Sequence, residues 1–239
     1  MKLKEFADRA LFALSVPKCV CCRKRLSYGE KAFCPECSAK YDDFKLRNCH
    51  KCSLPLPHCD CSSEHLANHY IKKTLKCFRY LHRDEECPQN SLIYSLKRDN
   101  RDDVLDFCIE ELSAVIKNHI ENPEDFVFIN VPRRAAAINE FGIDHSAMLA
   151  KGLAKRFGSS YYNLLKSNAK KPQKSLEKME RLKNTDFEII KEIDLTGKSV
   201  IIVDDIITSG ASMGTAASLV RSMGCRNIVA LTLGIAYKE

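Results

Sequence analysis

Apolar and polar positions along this chain follow two periods, and both are easiest to read after residue 70. Asp102–His119 places Leu105, Cys108, Ile109, Leu112, Val115 and Ile116 on one face at helical spacing, which predicts an amphipathic helix. Phe126–Val131 is a short apolar run of strand length. It is followed by a helical pattern with Leu149, Leu153 and Phe157 four residues apart, and Gly158 is a fitting terminator. Ser199–Val203 reads as a buried strand, and Leu219, Val220 and Met223 mark the core face of a last helix that Gly224 ends. Strand-like and helix-like segments in alternation predict an α/β fold: a mainly parallel sheet flanked by helices. Near the start, Leu3, Ala7, Ala10, Leu11 and Leu14 predict a short amphipathic helix. Residues 62–70 are polar and mark a boundary between a small module, 1–65, and a larger domain, 70–239. Residues 166–185 are basic and polar, as a solvated loop or a lid over a site would be.

Composition narrows this picture. With 45% hydrophobic residues in 239, the chain can bury a sizeable core, which excludes global disorder. No apolar run reaches the length of a membrane span, so no membrane insertion is expected. Ala10–Val16 is too interrupted upstream, by Glu5, Asp8 and Arg9, to act as a signal peptide, and the chain is expected in the cytoplasm. A net charge of +7 favours anionic partners, although a solvated basic surface accounts for it equally well.

Cysteine changes the picture most. Of thirteen cysteines, nine lie between residues 19 and 61, mostly as pairs: Cys19 with Cys22, Cys34 with Cys37, Cys49 with Cys52, and Cys59 with Cys61. In a reducing compartment such pairs point to metal. Sequential pairing predicts one structural zinc on Cys19, Cys22, Cys34 and Cys37 and a second on Cys49, Cys52, Cys59 and Cys61. Residues 1–65 hold few large apolar side chains, so metal would supply much of the module's folding energy. Arg23, Lys24, Arg25 and Lys31 on the first hairpin fit either a nucleic-acid contact or a solvated scaffold. His50, His58 and His65 are near enough to replace a cysteine ligand, and are more commonly surface residues. Cys77, Cys87, Cys108 and Cys225 stand alone and are expected to be buried as small hydrophobes.

The densest chemistry lies after the strand at 199–203. Asp204 and Asp205 come at its carboxyl end, and Thr208, Ser209, Gly210, Ala211 and Ser212 make a small-residue turn before a helix. Ligands of open α/β sheets bind at the carboxyl ends of strands. Hydroxyls and free N–H groups at a helix start surround a phosphate. Adjacent carboxylates accept hydrogen bonds from vicinal ribose hydroxyls, so the combination suits a 5-phosphoribosyl group. A response-regulator receiver does not fit, since only 35 residues follow Asp204 and that domain needs further strands. Gly197-Lys198-Ser199 imitates the end of a Walker A loop but precedes its strand, and Glu192 stands where the first glycine belongs.

Val200–Ser212 resembles the 13-residue signature of type I phosphoribosyltransferases. Together with the four cysteine pairs, the chain resembles the ComF family of competence-associated proteins, which join a double zinc ribbon to a type I phosphoribosyltransferase-like domain. Val131-Pro132-Arg133-Arg134, the stretch from Glu140 through Gly142 to His145, and Gln173, Leu176, Arg181 and Asn184 carry the rest of the likeness. The stretch at 140–145 departs from the family's Arg-Gly-Phe-Asn-Gln, and Ser209 replaces the commoner Thr. The resemblance implies that Asp204 and Asp205 hold the ribose hydroxyls and that Thr208 to Ser212 hold the 5-phosphate. It implies that Val131, Pro132 and Arg133 meet pyrophosphate and its magnesium, and that a lid closes through Lys171 or Arg181. It also implies phosphoribosyl pyrophosphate as ligand, a setting in DNA uptake, and single-stranded DNA or uptake proteins as partners. Two functions follow from these expectations. One is an enzyme transferring the phosphoribosyl group to an unidentified acceptor, with Tyr80, Tyr94 and Lys97 as candidate contacts. The other is a nucleic-acid- or partner-binding protein that keeps the pocket for sensing.

Overall fold

The computed structural model describes residues 16–81, 87–168 and 186–236. The expected N-terminal helix and the lid residues Lys171, Gln173, Leu176, Arg181 and Asn184 lie outside them. Five parallel strands form the central sheet in the order β1-β7-β6-β2-β3: β1 (Ile71–Arg79), β7 (Asn227–Ile235), β6 (Ser199–Ile207), β2 (Phe126–Asn130) and β3 (Ser160–Tyr162). Two short antiparallel strands, β4 (Leu165–Ser167) and β5 (Phe187–Ile189), stand apart from it. The helices are α1 (Pro35–Lys45), α2 (Glu64–Asn68), α3 (Pro88–Arg98), α4 (Asp102–His119), α5 (Ala135–Phe141), α6 (His145–Phe157) and α7 (Ala211–Ser222).

The two-residue period of the strands divides the core between the faces of the sheet. Phe128, Ile201, Val203, Val229 and Leu231 point to one face and pack with α3, α4 and α6. Val127, Ile129, Val200, Ile202, Ile228 and Ala230 point to the other, where α7 supplies Met213, Ala216, Ala217 and Val220. The expected elements at 102–119, 126–131, 145–158 and 199–223 are present. Gly158 caps α6 with φ +66°, in the left-handed conformation that glycine adopts without penalty. β6 runs four residues further than its apolar core suggests, to Ile207, because ladder pairing with β7 continues past the acidic pair as far as Ile207 opposite Ile235.

The cysteine-rich segment does not stand off from this sheet. Cys19, Leu26, Phe33, Cys34, Cys37 and Tyr41 share one core with Phe78, Cys108 and Leu112, on the face covered by α4. Around them Tyr41 donates to Glu111 at 2.9 Å, Lys31 pairs with Glu110 at 2.7 Å, and Ala32 N–H donates to Asp103. Cys49, Cys59 and Leu66 join the core of the opposite face. The chain between them crosses the outer edge of β1, where Thr74 N–H donates to the Asp60 carbonyl and Cys61 bridges to Lys73. The polar stretch 62–70 is not extended. It forms α2, capped by Ser63 Oγ accepting from Leu66 N–H, and buries Leu66.

Candidate functional site

Two crossovers bring the candidate residues together. The turn after β2 carries Val131, Pro132 and Arg133, and Val131 N–H donates to the Val203 carbonyl at 2.9 Å. That bond locks the turn beside the end of β6. Behind it, Tyr161 Oη donates to Asn130 Oδ1 at 2.9 Å, and Asp144 caps α6 by accepting from Ala147 N–H. Val131 and Pro132 are buried and Arg133 is half-buried.

Asp205 is the centre of the site. Its Oδ2 accepts from Arg133 Nη2 and from Lys97 Nζ, both at 3.1 Å, and its side chain is 7% exposed. Burial opposes its charge, and Lys97 and Arg133 outweigh burial, so its carboxyl is held below the usual range. Asp204 lies partly exposed beside it and accepts from Asp205 N–H at 2.9 Å. Burial, and then the neighbouring Asp205 carboxylate, lift Asp204 to about 8. Side by side, the two acids are pushed in opposite directions, Asp204 towards keeping its proton and Asp205 towards losing it.

Arg133 reaches one step further, to His145 at the start of α6, with Nη1 2.8 Å from Nδ1. A guanidinium only donates, so Nδ1 is the acceptor and the ring proton sits on Nε2. Burial and then Arg133 lower His145 to about 4, which keeps the ring neutral. Nε2 meets no polar partner among the described residues. The nearby cavity between α3, α4 and α6, lined by Leu96, Asn100, Leu105, Ile143, His145 and Met148, has about 20 Å³. That is room for a water and not for an acceptor molecule.

Beyond β6 the chain turns through Thr208 and Ser209, both reachable from solvent, to Gly210 with φ +82°. Ser209 Oγ accepts from Ala211 N–H at 3.4 Å, while Gly210 offers no side chain to cap α7. Backbone N–H groups at the start of this twelve-residue helix, beside the Thr208 and Ser209 hydroxyls, have the makings of an anion cradle. This loop leans on α2. A Cβ on Gly210 would meet Leu66 Cδ2 at 3.1 Å and His65 Cδ2 at 3.2 Å, and one on Gly214 would meet His69 Cδ2 at 2.8 Å. His69 Nδ1 bonds Ser218 Oγ at 2.8 Å.

Residues 142–235 match the phosphoribosyl transferase domain family. The sheet, its flanking helices and that match make the fold of the larger part of the chain phosphoribosyltransferase-like. Among solved structures the chain is similar to purine phosphoribosyltransferase from Pyrococcus horikoshii Ot3, at 20% identity and TM-score 0.39, over 55% of this chain and 72% of that one. Hypoxanthine phosphoribosyltransferase from Staphylococcus aureus is 17% identical over 54% and 60%, with TM-score 0.34. Phosphoribosylpyrophosphate synthetase from Mycobacterium smegmatis is 17% identical over 54% and 37%, with TM-score 0.34. No curated protein sequence matches the chain. These structural likenesses are remote, so the chemistry is read from the site's own residues.

The cysteines form two clusters, Cys19, Cys22, Cys34 and Cys37, and Cys49, Cys52, Cys59 and Cys61, each with all four sulfurs within 4.8 Å of one another. A tetrahedral metal with bonds of ~2.3 Å needs sulfurs about 3.8 Å apart, so both sets fit one. Lys51 N–H donates to Cys49 Sγ and Cys61 N–H to Cys59 Sγ, both at 3.4 Å, as in turns that favour thiolates. Behind the second cluster lies Lys76, wholly buried, with Nζ donating to the carbonyls of Cys61 and Thr74 and its charge acting on Cys59. Cys77, Cys87, Cys108 and Cys225 are buried outside the two clusters. Of the first hairpin's cations, Lys24 is paired with Glu36 and Lys31 with Glu110, while Arg23 and Arg25 are exposed. No helix among the described residues is long and apolar enough to cross a membrane.

Lys97 and His145 complete the site in a way the chain's local patterns do not spell out. Lys97 was a candidate acceptor contact with Tyr80 and Tyr94, and nothing in its local pattern shows that it pairs with Asp205. His145 falls in the stretch, 140–145, that departs from the Arg-Gly-Phe-Asn-Gln of the ComF proteins the chain resembles.

Proposed function

We propose that the chain binds phosphoribosyl pyrophosphate with magnesium at the carboxyl ends of β2 and β6 and transfers the phosphoribosyl group to a nucleophilic acceptor. The observation that carries this reading is the convergence of Asp204 and Asp205 with the small-residue start of α7 on one side and the Val131–Arg133 turn on the other. Asp204 and Asp205 accept from the ribose hydroxyls. Thr208, Ser209, Gly210, Ala211 and Ser212 receive the 5-phosphate through hydroxyls and N–H groups. The turn at 131–133 faces the pyrophosphate. In the transfer, an acceptor lone pair bonds to the anomeric carbon as its bond to pyrophosphate oxygen breaks. The bonding pair leaves on pyrophosphate, and the acceptor loses its proton to solvent. Magnesium, when bound with the ligand, supplies charge neutralisation to the leaving group. Lys171 and Arg181 belong to this reading as lid cations.

Zinc is the ion we assign to both four-cysteine clusters, since an all-thiolate tetrahedral site suits it. With the paired cysteines and the likeness to ComF proteins, we read the setting as cytoplasmic handling of incoming DNA, with single-stranded DNA or uptake proteins as partners. Arg23 and Arg25 are exposed cations of the first hairpin that suit that contact.

Calorimetric titration with phosphoribosyl pyrophosphate and magnesium tests the ligand. The wild type should bind, and an Asp204→Asn/Asp205→Asn variant should lose most of the affinity. A wild type without affinity sinks the reading. Binding without pyrophosphate release, against a panel of bases and amines, would make the protein a sensor and not a transferase. For DNA, replacing Arg23 and Arg25 by Ala should weaken a gel shift with single-stranded DNA and flatten its salt dependence. An unchanged shift removes the ribbon from that role.

A further inference from the structure

Lys97 and Arg133 both donate to the same oxygen of Asp205, whose side chain is almost closed to water. Two cations crowded on one carboxylate oxygen keep donor capacity that a second anion can take up. The loop 208–212 contains no basic residue, so a phosphate there is met by N–H groups and hydroxyls alone. The charged donors gather at the other end, over the turn that follows β2.

We propose that Lys97, reaching in from α3, is a ligand of the diphosphate group and forms with Arg133 a two-cation clamp stored on Asp205 until the anion arrives. The inference rests on the phosphoribosyl pyrophosphate reading and adds to it a residue outside both sequence motifs. In the free protein the carboxylate keeps both cations ordered. When a ribose hydroxyl donates to Asp205, the ammonium and guanidinium turn to the phosphoryl oxygens, which carry more charge than the carboxylate they leave. The clamp so divides recognition: monophosphate at the start of α7, diphosphate between α3 and the 131–133 turn. Pyrophosphate leaves by breaking these contacts, and the cations return to Asp205.

Calorimetry on the full chain with three probes separates the cases: phosphoribosyl pyrophosphate with magnesium, inorganic pyrophosphate with magnesium, and ribose 5-phosphate. Lys97→Met should lose roughly tenfold to a hundredfold in affinity for the first two and stay within about twofold for the third. Lys97→Arg should keep most of the affinity. A Lys97→Met protein that binds pyrophosphate like the wild type, or loses ribose 5-phosphate equally, overturns the clamp. If Lys97→Met melts too early to titrate, acylation of wild-type lysines followed by mass spectrometry replaces it. Pyrophosphate should then protect Lys97, ribose 5-phosphate should not, and equal reactivity overturns the proposal. A wild type that binds pyrophosphate through Lys97 yet ignores phosphoribosyl pyrophosphate would sink the transferase reading and leave the clamp standing. A wild type that binds neither overturns both.

Discussion

Asp204 and Asp205 differ by one position and by almost their whole electrostatic surroundings. Asp204 is raised from 3.8 to about 8, so the folded protein holds a proton that the unfolded chain has lost above pH 4. Stability contributed by that proton is lost as pH rises towards 8. Urea melts of the wild type should therefore weaken between pH 5 and 8 relative to Asp204→Asn, in which the slope disappears. Ligand binding that needs the carboxylate should release a proton below pH 8, visible as a buffer-dependent binding enthalpy. His145 carries the opposite sign. Its lowering from 6.5 to about 4 means that stability is lost as pH falls through that interval, and His145→Gln should remove this part of the acid sensitivity in the same melts. Asp204, Asp205 and the 208–212 loop were legible because their chemistry is contiguous in sequence. Lys97 stood there only beside Tyr80 and Tyr94 as a candidate contact, since its pairing is made by tertiary placement and leaves no local pattern. Lys76 was not legible at all: one lysine in a strand that also carries Lys72, Lys73 and Arg79 gives no hint that it faces sulfur. With four thiolates around a divalent ion, the second cluster carries excess negative charge, and Lys76 is the buried cation beside it. Lys76→Met should weaken metal retention at the second cluster and leave the first unaffected, measured by chelator competition with cobalt and its absorption bands.

Among the elements, α2 and α7 form the contact that links the cysteine-rich segment to the 208–212 loop. Gly214 is helical, so its backbone does not demand glycine, but the His69 ring does. Gly214→Ala drives a methyl into that ring and should cost about 1–3 kcal/mol of stability. The same change should loosen the 208–212 loop and weaken binding of ribose 5-phosphate. Adding His69→Ala should recover part of both losses, as a double-mutant cycle would measure. Full additivity would mean that α2 and α7 are not coupled there. The helices α4, α6 and α7 are readable from periodicity, because one-sided burial imposes it, and β2 and β6 as apolar runs buried on both faces, whereas β1, β3, β7 and α3 are not picked out by either signal. α2 is hidden in a polar stretch because five residues with one buried leucine carry too little pattern, and its helix is held by Ser63 and by the packing of Leu66.

At the scale of the whole molecule, the two four-cysteine clusters straddle the edge strand β1, one in the core of each face of the sheet. Stripping the metal should therefore unfold more than the ribbon. Chelation, or Cys49→Ser, is expected to lower the melting temperature by roughly 10 °C or more, with far-ultraviolet and near-ultraviolet circular dichroism changing together. A ribbon that unfolds first, with the sheet's transition unmoved, would contradict the shared core. The pairing of this chain by four cysteine turns was plain from spacing; its burial across two faces was not, because the partners Phe78, Leu112, Ile207 and Val220 lie far along the chain.

The position of β1 also sets a timetable for synthesis. Leu75 pairs with Leu231, so the first strand of the sheet to leave the ribosome waits for the last before its inner edge is satisfied. In that interval its outer edge is already covered by Asp60 and Cys61 of the second knuckle. Early loading of metal at Cys49, Cys52, Cys59 and Cys61 would thus hold a nascent strand half-closed against neighbouring chains. Cells short of zinc should yield this protein as aggregate formed during translation, rather than as a folded product that later loses its ligand.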